Sequence, residues 1–365
     1  MTIKELTQKI EALAPLSLQE SYDNAGLIIG EHNTNIEGVL ITLDVTEEVM
    51  QEAIENGCNL IIAHHPLIFK GIKKLNSKNM VERLIVQAIK NDIAIYAAHT
   101  NLDNVHLGVN AMVAEKLGLI NTSILAPKDQ ILKKLVTFCP IDHAEKVRTA
   151  IFKAGAGHIG KYDSCSFNAA GEGTFKANDG ADPFVGELGN IHTEKEIRIE
   201  SVFPAYLKNQ IVSAMLEAHP YEEVAYDIYP IENTFDNVGA GMVGDLKNPE
   251  DTLEFIARIK KVFGSGCIRH TKIVNDRILK VALCGGSGSF LLQNAIASGA
   301  DIFITGDMKY HEFFEADDKI IVADVGHYES EQFTKELLMN FINKNNTTFA
   351  VRNSEVNTNP ISYFC

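Results

Sequence analysis

Apolar and polar positions fall along this chain in blocks that read as strand, helix, strand, the order that builds layered α/β domains. An amphipathic pattern over residues 3–13 predicts an opening helix, and the turn-rich run Ser21-Tyr22-Asp23-Asn24-Ala25-Gly26 leads into a short strand over 27–30. Residues 37–44 read as a strand. Thr46 then offers an N-cap, with Glu47 and Glu48 in the first turn where the helix dipole favours them, for a helix reaching about Asn56. Gly57 stops it, and the wholly apolar run Leu60-Ile61-Ile62-Ala63 predicts a buried strand that completes a βαβ unit. A helix over 80–91 and a strand over 93–98 extend the layer, and that strand delivers His99-Thr100-Asn101-Leu102-Asp103 at its carboxyl end, with Asp103 in the loop beyond it.

The far end of the chain repeats this plan. The segment from Ala53 to Ile62 lines up at a constant offset with that from Ala295 to Ile304, so that His64 and His65 fall on Gly306 and Asp307. The next strand, over 320–323, ends in Asp324-Val325-Gly326-His327, and one helix is expected from there to about Asn343. Two related lobes result, each presenting polar residues at the carboxyl ends of its strands, where open α/β sheets hold ligands.

Between the lobes, residues 132–231 change character. Strands over 134–138, 196–201 and 225–229 alternate with helices over 143–154 and 204–218, a Gly-rich hairpin region follows the first helix through Gly189, and within it the stretch from Gly171 to Gly189, rich in Gly, Asp and Asn, reads as an exposed loop. The βαβ-βαβ pattern implies a ferredoxin-like α+β insert. The fold class is therefore α/β, two related α/β lobes forming one domain interrupted by that insert, with boundaries at 1–128, 129–232 and 233–365. His158, His192 and His219 lie in the insert and read as structural or solvent-exposed.

Composition narrows the class of function. The 365 residues, 45% of them hydrophobic, suffice for two or three packed domains. No window approaches the roughly eighteen apolar residues of a membrane span. The N-terminal Met1-Thr2-Ile3-Lys4-Glu5-Leu6 lacks the basic and apolar regions of a signal peptide, so a cytoplasmic protein without a membrane partner is expected. The six cysteines never form a CxxC pair, which argues against a thiolate zinc site, and they read as small buried apolar groups. A net charge of −15 weighs against nucleic acid as a partner, which needs a basic footprint. An anionic ligand would have to be drawn in locally, and bound cations would do that.

Candidate chemistry collects at the strand ends. Ala63-His64-His65-Pro66 closes a buried strand, and because strand side chains alternate between faces, both imidazoles reach one pocket only if the chain leaves the strand there, as Pro66 encourages. His327 and Glu331 are four apart on a helix and share a face. With Asp103 they would make a mixed imidazole and carboxylate set, His64, His65, Asp103, His327 and Glu331, too small to saturate two ions and so leaving open positions. Asp307 and His99 read as residues that orient these ligands, and His311 as either such a residue or an acid or base. Cys284-Gly285-Gly286-Ser287-Gly288-Ser289, at a strand-to-helix turn, reads as an anion-binding nest of amides or as a tight packing turn.

Four motifs in order, Ile62-Ala63-His64-His65-Pro66-Leu67, Ala98-His99-Thr100-Asn101-Leu102-Asp103, Thr305-Gly306-Asp307-Met308-Lys309-Tyr310-His311 and Asp324-Val325-Gly326-His327-Tyr328-Glu329-Ser330-Glu331, resemble the Nif-three-like family, also called GTP cyclohydrolase I type 2 homologs. Tyr22-Asp23-Asn24-Ala25-Gly26-Leu27 and Asn357-Thr358-Asn359-Pro360-Ile361 fit its two ends, with Tyr22 where the family carries tryptophan. The resemblance implies two divalent metal ions (Zn, Fe, Mn or Co) on His64, His65, Asp103, His327 and Glu331, and a ring-like homohexamer with sites facing an internal cavity. It also implies a PII/CutA-like insert, supported by His219-Pro220-Tyr221-Glu222-Glu223. The implied function is a dinuclear-metal-dependent hydrolase in which metal-activated water acts on a small nucleotide-type substrate. The alternative is a metal-binding chaperone or regulatory protein without turnover.

Overall fold

Val39, Leu40, Ile41, Leu60, Ile61 and Ile62 have no exposed surface, because the two parallel strands that carry them are covered on both faces. The computed structural model describes residues 1–345 and 348–364. Two compact units divide the chain, one built from Met1–Pro127 with Asp236–Cys365, the other from Lys128–Phe235.

In chain order the first unit begins with β1 (Gly26–Ile29), β2 (Gly38–Thr42), β3 (Leu60–Ala63), β4 (Ala94–Ala97) and β5 (Ile120–Pro127). The second unit holds β6 (Leu132–Pro140), β7 (Phe167–Lys176), β8 (Ile191–Pro204) and β9 (Tyr226–Pro230). The chain then returns with β10 (Gly239–Asp251), β11 (Arg269–His270), β12 (Arg277–Ser287), β13 (Ile302–Gly306), β14 (Ile321–Asp324) and β15 (Ala350–Asn353).

The repeat seen in the sequence is a structural repeat. One sheet has the order β1-β4-β3-β2-β15, the other β11-β14-β13-β12-β10-β5. In each, three parallel strands (β2, β3, β4 and β12, β13, β14) are flanked by a short antiparallel strand, β1 or β11. Gly57 and Gly299, equivalent in the repeat, both take left-handed backbone (φ 64° and 73°) where the preceding helix turns into its strand. Thr46 caps the helix Glu47–Glu55 by accepting from the Val49 N–H, as its sequence position predicts.

In the second unit a four-stranded antiparallel sheet has the order β7-β8-β6-β9. The helices Ala144–Lys153 and Lys208–Ala218 connect its strands in the sequence βαββαβ, and their apolar faces bury Val147, Ile151, Ile211 and Met215 against Leu135, Ile199 and Phe203.

Four expectations are corrected. The stretch from Gly171 is not all loop: residues 171–176 complete β7, paired along its length with β8, because backbone pairing and not hydrophobicity stabilises this polar strand. The helix expected from His327 to Asn343 is two helices, His327–Glu331 and Thr334–Asn345. At the break, the Gln332 side chain donates to the carbonyls of Phe263 and Glu329, and the Phe333 ring packs on Phe263. Asp103 lies not in a loop but at the end of the short helix Thr100–Asp103. Of the cysteines, Cys58, Cys139 and Cys284 are buried as expected, but Cys165 is half-buried and Cys267 exposed, while Cys365 lies outside the described residues. No helix among the described residues is long and apolar enough to cross a membrane.

Candidate metal centre

β3 ends at Ala63 and the chain bends through His64 and His65, as expected, their successive N–H groups both turning to the Thr42 and Leu43 carbonyls. Their rings come to 4.9 Å of each other, tilted by 47°, so the adjacent pair converges. From the other sheet, Gly326 ends the segment after β14 and the helix His327–Glu331 starts, bringing both of its named side chains to the same place.

His64 is fully buried. Its Nδ1–H donates to the Ala98 carbonyl at 2.8 Å, while Nε2 has no hydrogen-bond partner and lies 3.7 Å from both Asp103 Oδ1 and Glu331 Oε1. An orphaned buried nitrogen facing two carboxylates at a distance too long for a hydrogen bond is costly as it stands. Ligand atoms around one ion with bonds of about 2.1 Å lie roughly 3 to 3.5 Å apart, so this trio fits a divalent cation.

The second trio shares Glu331. Its Oε2 lies 2.9 Å from His65 Nε2 and 3.0 Å from His327 Nε2, and the two nitrogens are 3.3 Å apart. Each imidazole is held from behind: His65 Nδ1–H donates to Asp44 Oδ1 and His327 Nδ1–H to Asp307 Oδ2, both at 2.7 Å. Such carboxylate partners fix the ring orientation of metal-ligating histidines. Asp307 thus stands directly behind His327, on a left-handed residue (φ 57°). Asp324, one step from the site, serves the backbone instead, accepting from the Met308 and Gly326 N–H groups and pairing with Arg269.

The electrostatics follow from this crowding. Burial disfavours charge on His65, but Asp44 and Glu331 outweigh it and raise its pKa to about 10; for His327, Glu331 and Asp307 do the same, to about 9. Burial also opposes charging of His64, and Asp103 with Glu331 nonetheless pushes it up. Desolvation lifts the Asp103 carboxyl to about 6 against the pull of His64, whereas the three imidazoles overcome burial at Glu331 and hold it well below the carboxylate range.

His99 comes nearer than a purely supporting role requires. Its Nδ1–H donates to Asp23 Oδ1 at 2.7 Å, its ring lies 5.2 Å and 5.4 Å from those of His64 and His65, and the three histidines form a further group able to hold a metal. Burial raises the Asp23 pKa, but the hydrogen bonds from His99 and Thr100 reverse this and bring it down to about 2. His311 is exposed, its ring against Tyr310 and Phe314, and no contact among the described residues joins it to the cluster.

The glycine turn after Cys284 is not an anion nest. The amides of Gly285, Gly286 and Gly288 already donate to Asn110, Ser330 and Thr305. Its service is steric: Gly286 has φ 64°, and a Cβ there would lie 2.1 Å from Glu331 Oε1.

Sequence reasoning missed Asp44, Asp23 and Thr358. Asp44 ends an apolar strand, the same signal that marked His64, but Thr358 donates to Asp44 Oδ2 at 2.7 Å from 314 residues away, a relation no local pattern contains.

Comparison with known proteins extends over the whole chain. The family described as Duf34/NIF3 (NGG1p interacting factor 3) matches residues 1–360. A Bacillus subtilis protein named GTP cyclohydrolase 1 type 2 homolog is 42% identical over 366 residues, covering 99% of this chain and 98% of the relative. A Halalkalibacterium halodurans protein of the same name is 41% identical over 361 residues, covering 98% and 97%. Among solved structures, a Bacillus cereus protein related to NIF3 superposes with a TM-score of 0.86 at 39% identity, over 100% of this chain and 99% of that one. A Staphylococcus aureus protein gives 0.78 at 33% identity, over 100% and 99%.

Proposed function

Because the chain belongs to the Duf34/NIF3 family, in which similar proteins are named GTP cyclohydrolase 1 type 2 homolog, we propose that it is a dinuclear-metal-dependent hydrolase acting on a nucleotide-type substrate. The observation that carries this reading is Glu331, with one oxygen toward His64 and the other toward His65 and His327. His64, Asp103 and Glu331 would hold one divalent ion, and His65, His327 and Glu331 a second, with Glu331 common to both. Zinc, iron, manganese and cobalt all suit these donors. When bound, such ions supply Lewis acidity, which lowers the pKa of water and neutralises charge on substrate oxygens.

The chain's own residues do the rest. Asp44 and Asp307 retain the Nδ1 protons of His65 and His327, so that the Nε2 lone pairs are the ones offered to the centre. His99, anchored at Nδ1 by Asp23, is the group placed to exchange a proton at Nε2 during hydrolysis, in which water adds across the bond that breaks. The segment directly after the histidine pair supports an anionic substrate. Phe69 packs its ring on His99, and Lys70, Lys73, Lys74 and Lys78 follow without an intervening acid in a chain of net charge −15.

Three wider features belong to the same reading. The second unit is a ferredoxin-like insert, supported by its βαββαβ order and antiparallel sheet. The chain works in the cytoplasm as a subunit of a ring-like homohexamer, and exposed aromatic side chains such as Tyr310 and Phe314 fit subunit contact. Purified protein loaded with each metal and incubated with GTP and other nucleotides is expected to turn substrate over, and His64→Ala and Glu331→Ala to abolish this. Turnover that survives both changes overturns the proposal, and light scattering at a mass other than six chains overturns the hexamer.

A further inference from the structure

The second unit contains a cavity of about 750 Å³ unrelated to the histidine cluster, and its volume falls in the range of small-molecule sites. Its floor is the helix-free face of the sheet. There β7 contributes Ala169, Gly171 and Gly173, paired with Arg198, Glu196 and Glu194 of β8, and these small residues leave the floor concave. Phe138 lies in the same row as Arg198, and the rings of Phe175, Phe184 and Tyr221 close the sides, Tyr221 standing 6.1 Å from Phe175 and 6.3 Å from Phe184. The loop that carries Phe184 is pinned by the Asp182 N–H, which donates to Glu222 at 3.0 Å.

Charge in this cavity is unbalanced. Five acidic side chains line it against two basic ones, Lys176 and Arg198, and the Arg198 guanidinium is engaged by Glu200. The decisive group is Glu196. It is only 8% exposed, it accepts one hydrogen bond, from the Tyr221 hydroxyl at 2.9 Å, and among the described residues no cationic side chain pairs with it. Its other carboxylate oxygen lies over Gly173, where a Cβ would come within 2.3 Å, so the glycine is what gives that oxygen its place. A buried carboxylate ordinarily has a cationic partner, and aromatic faces around it add attraction for a cation.

We infer that this cavity is a binding site for a small organic cation, an ammonium carried on an apolar or aromatic body, with the ammonium at Glu196 and the body among Phe175, Phe184 and Tyr221. A neutral isostere lacks the charge that Glu196 complements, and a carboxylate would be repelled. Nothing in this inference depends on metal at the other site.

Benzylamine, protonated at pH 7, serves as the probe against the full-length protein, with benzyl alcohol and benzoate as controls, read by calorimetry and ligand-observed NMR. Benzylamine is expected to bind at least tenfold more tightly than either control. Glu196→Gln, which keeps the shape and the tyrosine hydrogen bond, should remove that preference, and Phe184→Ala on the partly exposed side should weaken benzylamine several-fold. Metal content and melting temperature of both variants should match the parent, which separates this site from the proposed hydrolase centre. Equal binding of benzylamine and benzyl alcohol, unchanged benzylamine affinity in Glu196→Gln, or no binding of benzylamine at millimolar concentration would each overturn the inference.

Discussion

Glu331 Oε2 stands 2.9 Å from His65 Nε2 although the two residues are 266 positions apart and follow strands of different sheets. The glutamate joins two donor trios that no single lobe completes. Removing its charge should therefore empty both, whereas Asp103 serves one. After dialysis against dilute zinc or manganese, Glu331→Gln is expected to retain almost no metal and Asp103→Asn about half the parental amount. Elemental analysis decides, and equal losses in the two variants would count against a shared glutamate.

Thr358 reaches the same centre at one remove, through Asp44 to His65. Thr358→Val leaves Asp44 with one fewer donor and a looser hold on the imidazole. The expected effect is metal affinity about 10-fold weaker, in the range for loss of such supporting contacts, with Thr358→Ser restoring it. Chelator competition measures this, and the melting temperature of the metal-free protein should move little.

Gly286 and Gly57 both adopt left-handed backbone, at the same φ of 64°, yet their surroundings differ. Alanine at either position bears a conformational cost of about 1 to 2 kcal/mol. At Gly57 a Cβ meets nothing within 4 Å, so Gly57→Ala should show that cost alone and bind metal normally. At Gly286 it collides with Glu331, so Gly286→Ala should be more destabilised and lose metal as well. Denaturant melts paired with metal analysis test the contrast.

His219 contributes a pH dependence to the second unit. Burial lowers its pKa below the usual 6.5, and both nitrogens are committed in the neutral form, Nε2–H to the Phe138 carbonyl and Nδ1 to the Tyr221 N–H. The unfolded chain therefore binds more protons at this residue, so stability is present above about pH 6.5 and falls as the pH drops below it. An NMR titration should place the His219 midpoint below 6.5. His219→Gln should reduce the slope of stability between pH 7 and pH 5.5 by the part this residue contributes, and an unchanged slope would count against that contribution.

Local order was legible because it rests on short-range rules. The apolar runs that became β2, β3, β13 and β14, the Thr46 cap, and the left-handed glycines Gly57 and Gly299 follow from side-chain burial and backbone sterics within a few residues. The repeat could be read for the same reason, since equal local patterns fold into equal units. It was less reliable where pairing, not hydrophobicity, sets the structure: residues 171–176 of β7, polar and glycine-containing, looked like loop until β8 lay beside them. Nor could the sequence place the break after Glu331, which depends on Gln332 finding the Phe263 carbonyl.

By itself, the sequence determined the two lobes, the identity of the histidines and carboxylates at their strand ends, and the kinship that those motifs carry. Only the tertiary structure decided which of them meet. It brought Asp44 and Thr358 behind His65, drew His99 toward the centre and left His311 outside it. It also decided between the two readings of the glycine-rich turn, which gives clearance to Glu331 and does not cradle a ligand. The physical reason is range: burial and backbone preference act on neighbouring residues, whereas the convergence of donors depends on how two sheets, each already specified, are packed against each other.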